Sequence, residues 1–159
     1  MEIVAPCSKH KKKNLIIYIS ACLLFGLFFA YDGYLSQYEW SMRHSFYEKH
    51  VVDGEPDDTM IFNRRAPLFL AALAVVLAVR LIIVSNKKAV AKENELIINN
   101  KEKIPYNRIQ KIDKTYFKKK GYFTITYDSD NTQPREHTIR DKDYDNLSAI
   151  LERLVEKIS

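Results

Sequence analysis

The sequence predicts an α+β membrane protein in which two transmembrane helices precede a small antiparallel β-sheet closed by a C-terminal amphipathic helix. The first half of the 159-residue chain contains two long apolar runs, residues 15–31 and residues 66–84. The second half alternates short strand patterns with turn residues and ends in an apolar stripe at helical spacing. Such a sequence of patterns is typical of two membrane spans followed by a small α+β domain.

The first apolar run follows a basic cytoplasmic tail, residues 1–13, and carries no charge. A bilayer core about 30 Å thick needs about 20 helical residues, so we predict a first transmembrane helix over residues 14–34. A cleavable signal peptide is an alternative, but Phe28 lies where its cleavage site needs a small residue. The residues before Cys22 have the form of a bacterial lipoprotein signal, although an apolar stretch follows the cysteine where a polar tether is usual. We therefore predict an uncleaved anchor and leave lipidation of Cys22 open.

The second run predicts a transmembrane helix over residues 66–84, after an extracytoplasmic loop over residues 35–65. The segment between the two apolar runs, residues 32–65, has seven acidic and four basic residues. Lysines cluster instead before the first helix and after the second helix, at the ends away from this segment. Lysine and arginine near a span are retained on the cytoplasmic side. Both termini are therefore expected in the cytoplasm.

Tyr31, Asp32 and Gly33 lie where the first helix leaves the bilayer. Aromatic residues collect at membrane interfaces, so these three residues form a predicted polar anchor there. The alternative for Asp32 is a contact to Arg64 or Arg65 across the loop.

The loop also raises a metal-site hypothesis. His44 and Glu48 are four residues apart and would share one helix face, with His50 and Asp53 close by in sequence. The spacing of the two histidines does not match a tight helical ligand pair, and the loop supplies no third imidazole. We therefore predict no metal and no cofactor.

After the second helix, a polar connector over residues 85–93 leads to a domain over residues 94–159. We predict strands at residues 95–99, 110–115, 122–127 and 134–140, and turns at residues 99–100 and 128–131. In the third strand, Phe123, Ile125 and Tyr127 project to one face of the sheet. Tyr122, Thr124 and Thr126 project to the other. Ile109 and Ile112 are three residues apart and so do not fit strict alternation. This spacing indicates a turn or a bulge between residues 105–108 and the strand over residues 110–115.

The chain ends in a predicted amphipathic helix. Asp141 or Asp143 is expected to accept hydrogen bonds from its first amides. Its apolar residues recur at helical spacing and form one stripe: Tyr144, Leu147, Ile150, Leu151, Leu154, Val155 and Ile158.

Residues 104–112, IPYNRIQKI, resemble the phrase that opens the core hairpin of bacterial pleckstrin-homology-like (PH-like) domains. The two preceding helices are similar to those of short membrane-anchored members of that group. The resemblance covers residues 94–159, fewer than a seven-stranded barrel needs, so it implies a partial PH-like barrel, incomplete or sharing its edge with a partner. It implies a non-enzymatic binding or assembly module and carries over no catalytic residue.

A basic cluster after the second predicted strand is the candidate contact surface for membrane lipid or a partner. It comprises Lys114, Tyr116, Phe117, Lys118, Lys119 and Lys120. Residues 85–159 hold 16 basic and 12 acidic residues, a net charge of +4, and anionic lipid attracts such lysines by about 1 kcal/mol each. The alternative is a soluble turn kept polar against edge pairing. One short cluster is a small footprint for nucleic acid, which we do not predict as a partner.

No glycine-rich phosphate loop or nucleophile elbow occurs in the sequence, so we predict no enzymatic activity. The predicted function is a membrane-anchored interaction or assembly module that recruits a protein partner or a second copy of itself at the inner leaflet. The alternative is an accessory subunit of a transporter or envelope enzyme whose transmembrane helices make the contacts.

Overall fold

The computed structural model of the protein describes residues 2–128 and 134–158. The chain forms two compact units, a helical unit (Asn14–Leu81) and a β unit (Met1–Lys13 with Ile82–Ser159). The strands are β1 (Ile3–Pro6), β2 (Val51–Val52), β3 (Glu55–Pro56), β4 (Lys88–Ala91), β5 (Glu95–Ile98), β6 (Glu102–Pro105), β7 (Ile109–Asp113), β8 (Tyr122–Asp128) and β9 (Pro134–Arg140). The helices are α1 (Lys9–Ala30), α2 (His44–His50), α3 (Asp58–Ser85), α4 (Phe117–Lys120) and α5 (Leu147–Ile158).

The β unit contains two antiparallel sheets. Four strands pair in the order β1-β4-β5-β6, and three pair in the order β7-β8-β9. Side chains from both sheets and from α5 form one buried core, which includes Leu96, Ile104, Phe123, Ile139 and Leu154. The predicted α+β class with antiparallel sheets is therefore confirmed.

The N-terminal segment differs from its prediction as a basic tail, because residues 3–6 form strand β1. Val4 lies opposite Val90 and Pro6 opposite Lys88 in the antiparallel pair with β4, and Ala5 is fully buried. A four-residue strand gives almost no periodic signal, and Pro6 suits only a strand end or an edge. One strand of the β unit thus precedes both long helices.

The predicted polar connector over residues 85–93 is also wrong. Helix α3 ends at Ser85, and β4 occupies Lys88–Ala91 with its last three residues buried. Alanine is depleted in strands, so the short sequence KAVA does not predict one. The β unit therefore includes residues on both sides of the helical unit and does not begin at residue 94.

The later strands match their prediction closely. Phe123, Ile125 and Tyr127 lie on one face of β8, which confirms the predicted alternation, and the structure shows that this face is the buried one. Asn99 and Asn100 form the predicted turn with positive φ angles of 54° and 57°, a backbone region that asparagine tolerates. The predicted turn at residues 128–131 lies mostly outside the described residues.

The break in alternation after Pro105 has two structural causes. A 3-10 turn, Tyr106–Arg108, joins β6 in one sheet to β7 in the other. The β7–β8 register then shifts between Ile109 and Lys111, which is a β-bulge. The sequence predicted a turn or a bulge here, and the structure has both.

The predicted cap of the C-terminal helix is wrong. The helix begins at Leu147, too far along the chain for Asp141 or Asp143 to cap it. Asp143 instead forms an ion pair with Lys11, and the Asp145 carboxylate accepts a hydrogen bond from the backbone N–H of Lys9 at 3.0 Å. The acidic residues before α5 therefore hold the start of α1. The predicted apolar stripe is confirmed, with Leu147, Ile150, Leu151 and Leu154 buried and Val155 and Ile158 packed against the core.

Two helical segments are long and apolar enough to cross a membrane, Lys9–Leu35 and Asp58–Ser85. The first comprises α1 and a π-helical turn, Tyr31–Leu35. Helix α3 begins well before the predicted residue 66, because the Asp57 carboxylate caps it by accepting the backbone N–H of Met60 at 2.9 Å.

The predicted loop over residues 35–65 is therefore shorter and more ordered than expected. It contains α2 and a hairpin in which a two-residue turn joins β2 to β3. Asp53 and Gly54, with φ of 53° and 80°, supply the left-handed pair that a type I′ turn requires.

Candidate functional site

The basic cluster forms a helical turn between β7 and β8. Helix α4 ends at Gly121, whose φ of 68° favours glycine, and the Gly121 N–H donates to the Phe117 carbonyl at 2.9 Å. The Phe117 ring packs edge-to-face on Phe123 with centroids 5.8 Å apart, and Tyr116 stacks on Tyr122 at 5.6 Å. The aromatic residues of the cluster therefore attach the turn to the sheet, while Lys118, Lys119 and Lys120 project from it.

Beside this turn lies a concave surface, the basic recess, with a volume of about 730 Å³. Its lining residues are Phe117, Lys118, Lys119, Lys120, Gly121, Tyr122, Arg140, Asp141 and Lys142. Five of these side chains are cationic and one is anionic. Like charges gathered around a concavity reinforce each other's potential, so the basic recess attracts an acidic group.

Three charged residues of the basic recess were not identified from the sequence, namely Arg140, Asp141 and Lys142. They reach the turn because β8 and β9 are antiparallel, with Tyr122 opposite Arg140. The predicted strands would have given this proximity if they had been paired as a hairpin. Lys114, in contrast, is exposed but does not line the basic recess.

Lys120 is held over the Tyr116 ring, with the ammonium 4.7 Å from the ring centroid. A cation at this distance from an aromatic face is attracted by about 0.5–1 kcal/mol at an exposed site. This contact orients one lysine of the turn and leaves the Lys118 and Lys119 side chains exposed.

The predicted polar anchor contains a bidentate ion pair. The Asp32 carboxylate, whose residue is only 1% exposed, accepts hydrogen bonds from Arg43 Nε at 2.9 Å and from Arg43 Nη2 at 2.8 Å. The alternative of a contact to Arg64 or Arg65 is wrong, because both oxygens of the Asp32 carboxylate accept from Arg43. The loop folds back on the helix end and brings Arg43 there. The hydrogen bond to Asp32 raises the pKa of the Arg43 guanidinium above its usual value.

Arg64 instead holds the backbone of the same turn. Its Nε donates to the Gly33 carbonyl at 3.1 Å, and the Tyr34 hydroxyl donates to the Arg64 carbonyl at 2.8 Å. A Cβ at Gly33 would lie 2.7 Å from the backbone oxygen of Asn63, so only glycine fits this close approach. Tyr31, the third predicted anchor residue, is bonded through its hydroxyl to Ser41 at 3.1 Å.

The described residues contain no group of three or more histidine, cysteine, aspartate or glutamate side chains that could hold a metal ion. His44 lies 3.7 Å from Glu48, as their spacing predicted. His50 instead pairs with Asp57 at 2.7 Å.

A second group of ionisable side chains connects the two sheets of the β unit. The Tyr127 hydroxyl on β8 donates to Glu102 on β6, and the other Glu102 oxygen lies 3.1 Å from Nδ1 of His137 on β9. Burial, together with the hydrogen bond to Glu102, raises the pKa of Tyr127 to about 12. The neutral Tyr127 phenol donates a hydrogen bond to the Glu102 carboxylate, and this bond stabilises the contact between the two sheets.

Comparisons of the chain with models of protein families, with curated proteins and with solved structures find no match. The functional argument therefore depends on the residues and their geometry.

Proposed function

We propose that the chain is a membrane-anchored, non-enzymatic PH-like interaction module that recruits a protein partner at the inner leaflet of a bacterial cytoplasmic membrane. One observation carries the proposal. Strands β1 and β4 are neighbours in one sheet, although the chain between them contains both long apolar helices. An open sheet cannot lie in lipid, so β1 and β4 would lie on the same side of the bilayer. The first helix would then cross the membrane and the second would cross back.

The strand count supports the PH-like resemblance. Residues 94–159 alone lack enough strands for a seven-stranded barrel, but β1 and β4 bring the two sheets to four and three strands. Helix α5 follows the last strand and packs on the common core. The described β unit thus has the number of strands of a full PH-like barrel, more than the partial barrel expected over residues 94–159, with the helical unit inserted after its first strand.

The basic recess is the contact surface that we assign to the module. Its five cations match an acidic segment of a protein partner, and the same charge would draw such a segment towards a module already held at the membrane. Anchoring raises the local concentration of the module, so a weak contact suffices for recruitment.

The test exchanges the helical unit. Residues 14–81 are replaced with an unrelated two-helix membrane hairpin, and residues 1–13 and 82–159 are kept because both contribute strands to the β unit. The tagged chimera and the native protein are purified from membranes in mild detergent, and stoichiometric companions are identified. Companions shared by both proteins support recruitment through the β unit. Companions lost from the chimera support the alternative, an accessory subunit that binds through its helices.

A charge-reversal variant then tests the contact surface. Replacing Lys118, Lys119 and Lys120 with glutamate should reduce recovery of the partner several-fold, because the reversed charge repels an acidic segment. The matched control reverses three other exposed lysines of the β unit, Lys101, Lys103 and Lys111. Equal losses in the two variants would show that the basic recess is not the contact surface.

A further inference from the structure

The loop of the helical unit presents an unusual exposed surface, here called the interface patch, made of Tyr38, Trp40 and Met42. The rings of Tyr38 and Trp40 stack at an angle of 12° with centroids 5.6 Å apart. Trp40 is 69% exposed and Met42 is 88% exposed, values that are unfavourable for such side chains in water.

Contacts of the loop hold this patch beside the end of the first apolar segment. Ser41 bonds the Tyr31 hydroxyl at 3.1 Å, and the Arg43 guanidinium that binds Asp32 also lies 5.8 Å from the centre of the Phe28 ring. Phe28, Tyr31 and Asp32 belong to the first apolar segment, Lys9–Leu35. The chain therefore turns back beside the last turns of that segment and carries Trp40 and Met42 with it.

We infer that the interface patch is buried in the lipid headgroup zone at the loop end of the two helices, and that the Arg43–Asp32 pair holds it there. The inference rests on the spanning helices of the proposed function. The headgroup region is about 5–7 Å thick on each side of the hydrocarbon core. Indole and phenol rings favour this zone because one part of the ring is apolar and another forms hydrogen bonds.

Lipid is the occupant that the surroundings favour. The patch continues the exposed apolar surface at the end of the first apolar segment, where Tyr34 and Leu35 are also exposed. The one carboxylate within residues 38–42, Glu39, is exposed and can remain at the water-facing side of the polar headgroup zone, and the neighbouring Asp32 is neutralised by Arg43. A second copy of the chain is the competing occupant, and the test distinguishes the two.

The experiment uses the fluorescence of Trp40, which is the single tryptophan of the sequence. The full-length protein is reconstituted into phosphatidylcholine vesicles with iodide on both sides of the bilayer. Separate samples contain lipid that is spin-labelled either at the headgroup or at the end of the acyl chain. We expect strong quenching by the headgroup label, weaker quenching by the acyl-chain label, and several-fold less quenching by iodide than in the unfolded protein.

Two other results would overturn the inference. Full quenching by iodide with none by labelled lipid would place Trp40 in water. Protection from all three quenchers that weakens on dilution with lipid would mean that a second copy covers the patch.

The role of Arg43 is tested in the same vesicles. Arg43→Gln removes the bidentate bond to Asp32, so iodide should quench Trp40 several-fold more strongly than in the native protein. Lys49→Gln removes the same charge from an exposed position of the same loop and should leave the quenching unchanged. Equal quenching in the two variants would show that the Arg43–Asp32 pair does not hold the patch.

A wash with alkaline carbonate separates this inference from the proposed function. Release of the protein from the vesicles would mean that the helices do not span, and both proposals would fail. A retained protein whose Trp40 is open to iodide would contradict the interface patch alone.

Discussion

The Asp32 carboxylate is buried at the end of an apolar helix, and Arg43 supplies both of the hydrogen bonds that compensate for its burial. We expect Asp32→Asn to lower the unfolding free energy of the detergent-solubilised protein by about 2 kcal/mol, because the variant leaves a guanidinium without its carboxylate. The estimate lies below that for a fully buried pair since the Arg43 side chain is 44% exposed. Thermal unfolding measures the change.

Two variants control this result. Arg65→Gln removes an exposed arginine from the start of α3 and should have little effect. The double variant Asp32→Asn with Arg43→Gln should be more stable than Asp32→Asn alone, because it removes both partners of the pair. If Asp32→Asn unfolds at the same temperature as Arg65→Gln, the ion pair contributes no stability.

Tyr127 makes the β unit sensitive to alkaline pH. Its pKa is raised to about 12 in the folded state, above an ordinary value of about 10. The folded state therefore holds the phenol proton more tightly, and this stabilisation is complete below pH about 10 and is lost as the pH rises towards about 12. The loss should be on the order of 2 kcal/mol.

Tyr127→Phe has no proton to lose and should show a shallower fall in stability over the same pH range. Denaturant unfolding followed by circular dichroism at a series of pH values measures the two slopes. Identical slopes for the native protein and Tyr127→Phe would mean that the phenol does not contribute to the pH dependence.

Strand β1 gives the β unit a part that lies before both long helices. Ala5 points into the core and is fully buried, whereas its neighbour Val4 points to the other face and is 43% exposed. Ala5→Asp places an unpaired charge in the core and should destabilise the β unit by several kcal/mol, and Val4→Asp should cost much less. Protease protection of residues 88–158 in detergent measures the difference. Equal protection in the two variants would be the result expected of a free N-terminal tail, not of a strand.

The elements of the β unit differ in how well the sequence could predict them. Strand β8 is visible in the alternation of Phe123, Ile125 and Tyr127, and α5 in its apolar stripe, because each pattern is long enough to define a period. Strands β1 and β4 have four residues each, and a proline or alanines occupy much of them. Their structure depends on pairing with each other, which no local pattern records.

The candidate sites show the same limit. Lys118, Lys119 and Lys120 are adjacent in sequence and were identified, whereas Arg140 and Lys142 join them only through the β8–β9 pairing. Asp32 was identified from its unusual place after an apolar run, but its partner was not. Arg43 reaches Asp32 because the loop turns back. The Ser36 hydroxyl donates to the backbone carbonyl of Asp32, and the Ser41 hydroxyl donates to the Tyr31 hydroxyl.

The pairing of β1 with β4 constrains how the whole chain can cross a membrane. Two strands of one sheet must lie on the same side, so the number of crossings between them is even. Two apolar segments of suitable length lie between these strands. The flanking lysines favour the cytoplasm for the shared side, and the acidic loop favours the opposite side.

Labelling of single cysteines tests this topology in intact cells. The background carries Cys7→Ala and Cys22→Ala, and one new cysteine replaces either Gln37 in the loop or Ser148 in α5, both of which are exposed. A maleimide that cannot cross the membrane should label Gln37→Cys in intact cells and Ser148→Cys only after lysis. Labelling of both positions before lysis, or of neither, would contradict two crossings. Labelling of Ser148→Cys alone in intact cells would keep the two crossings but reverse their direction, which would place the basic recess outside the cytoplasm and remove the inner leaflet from the proposed function.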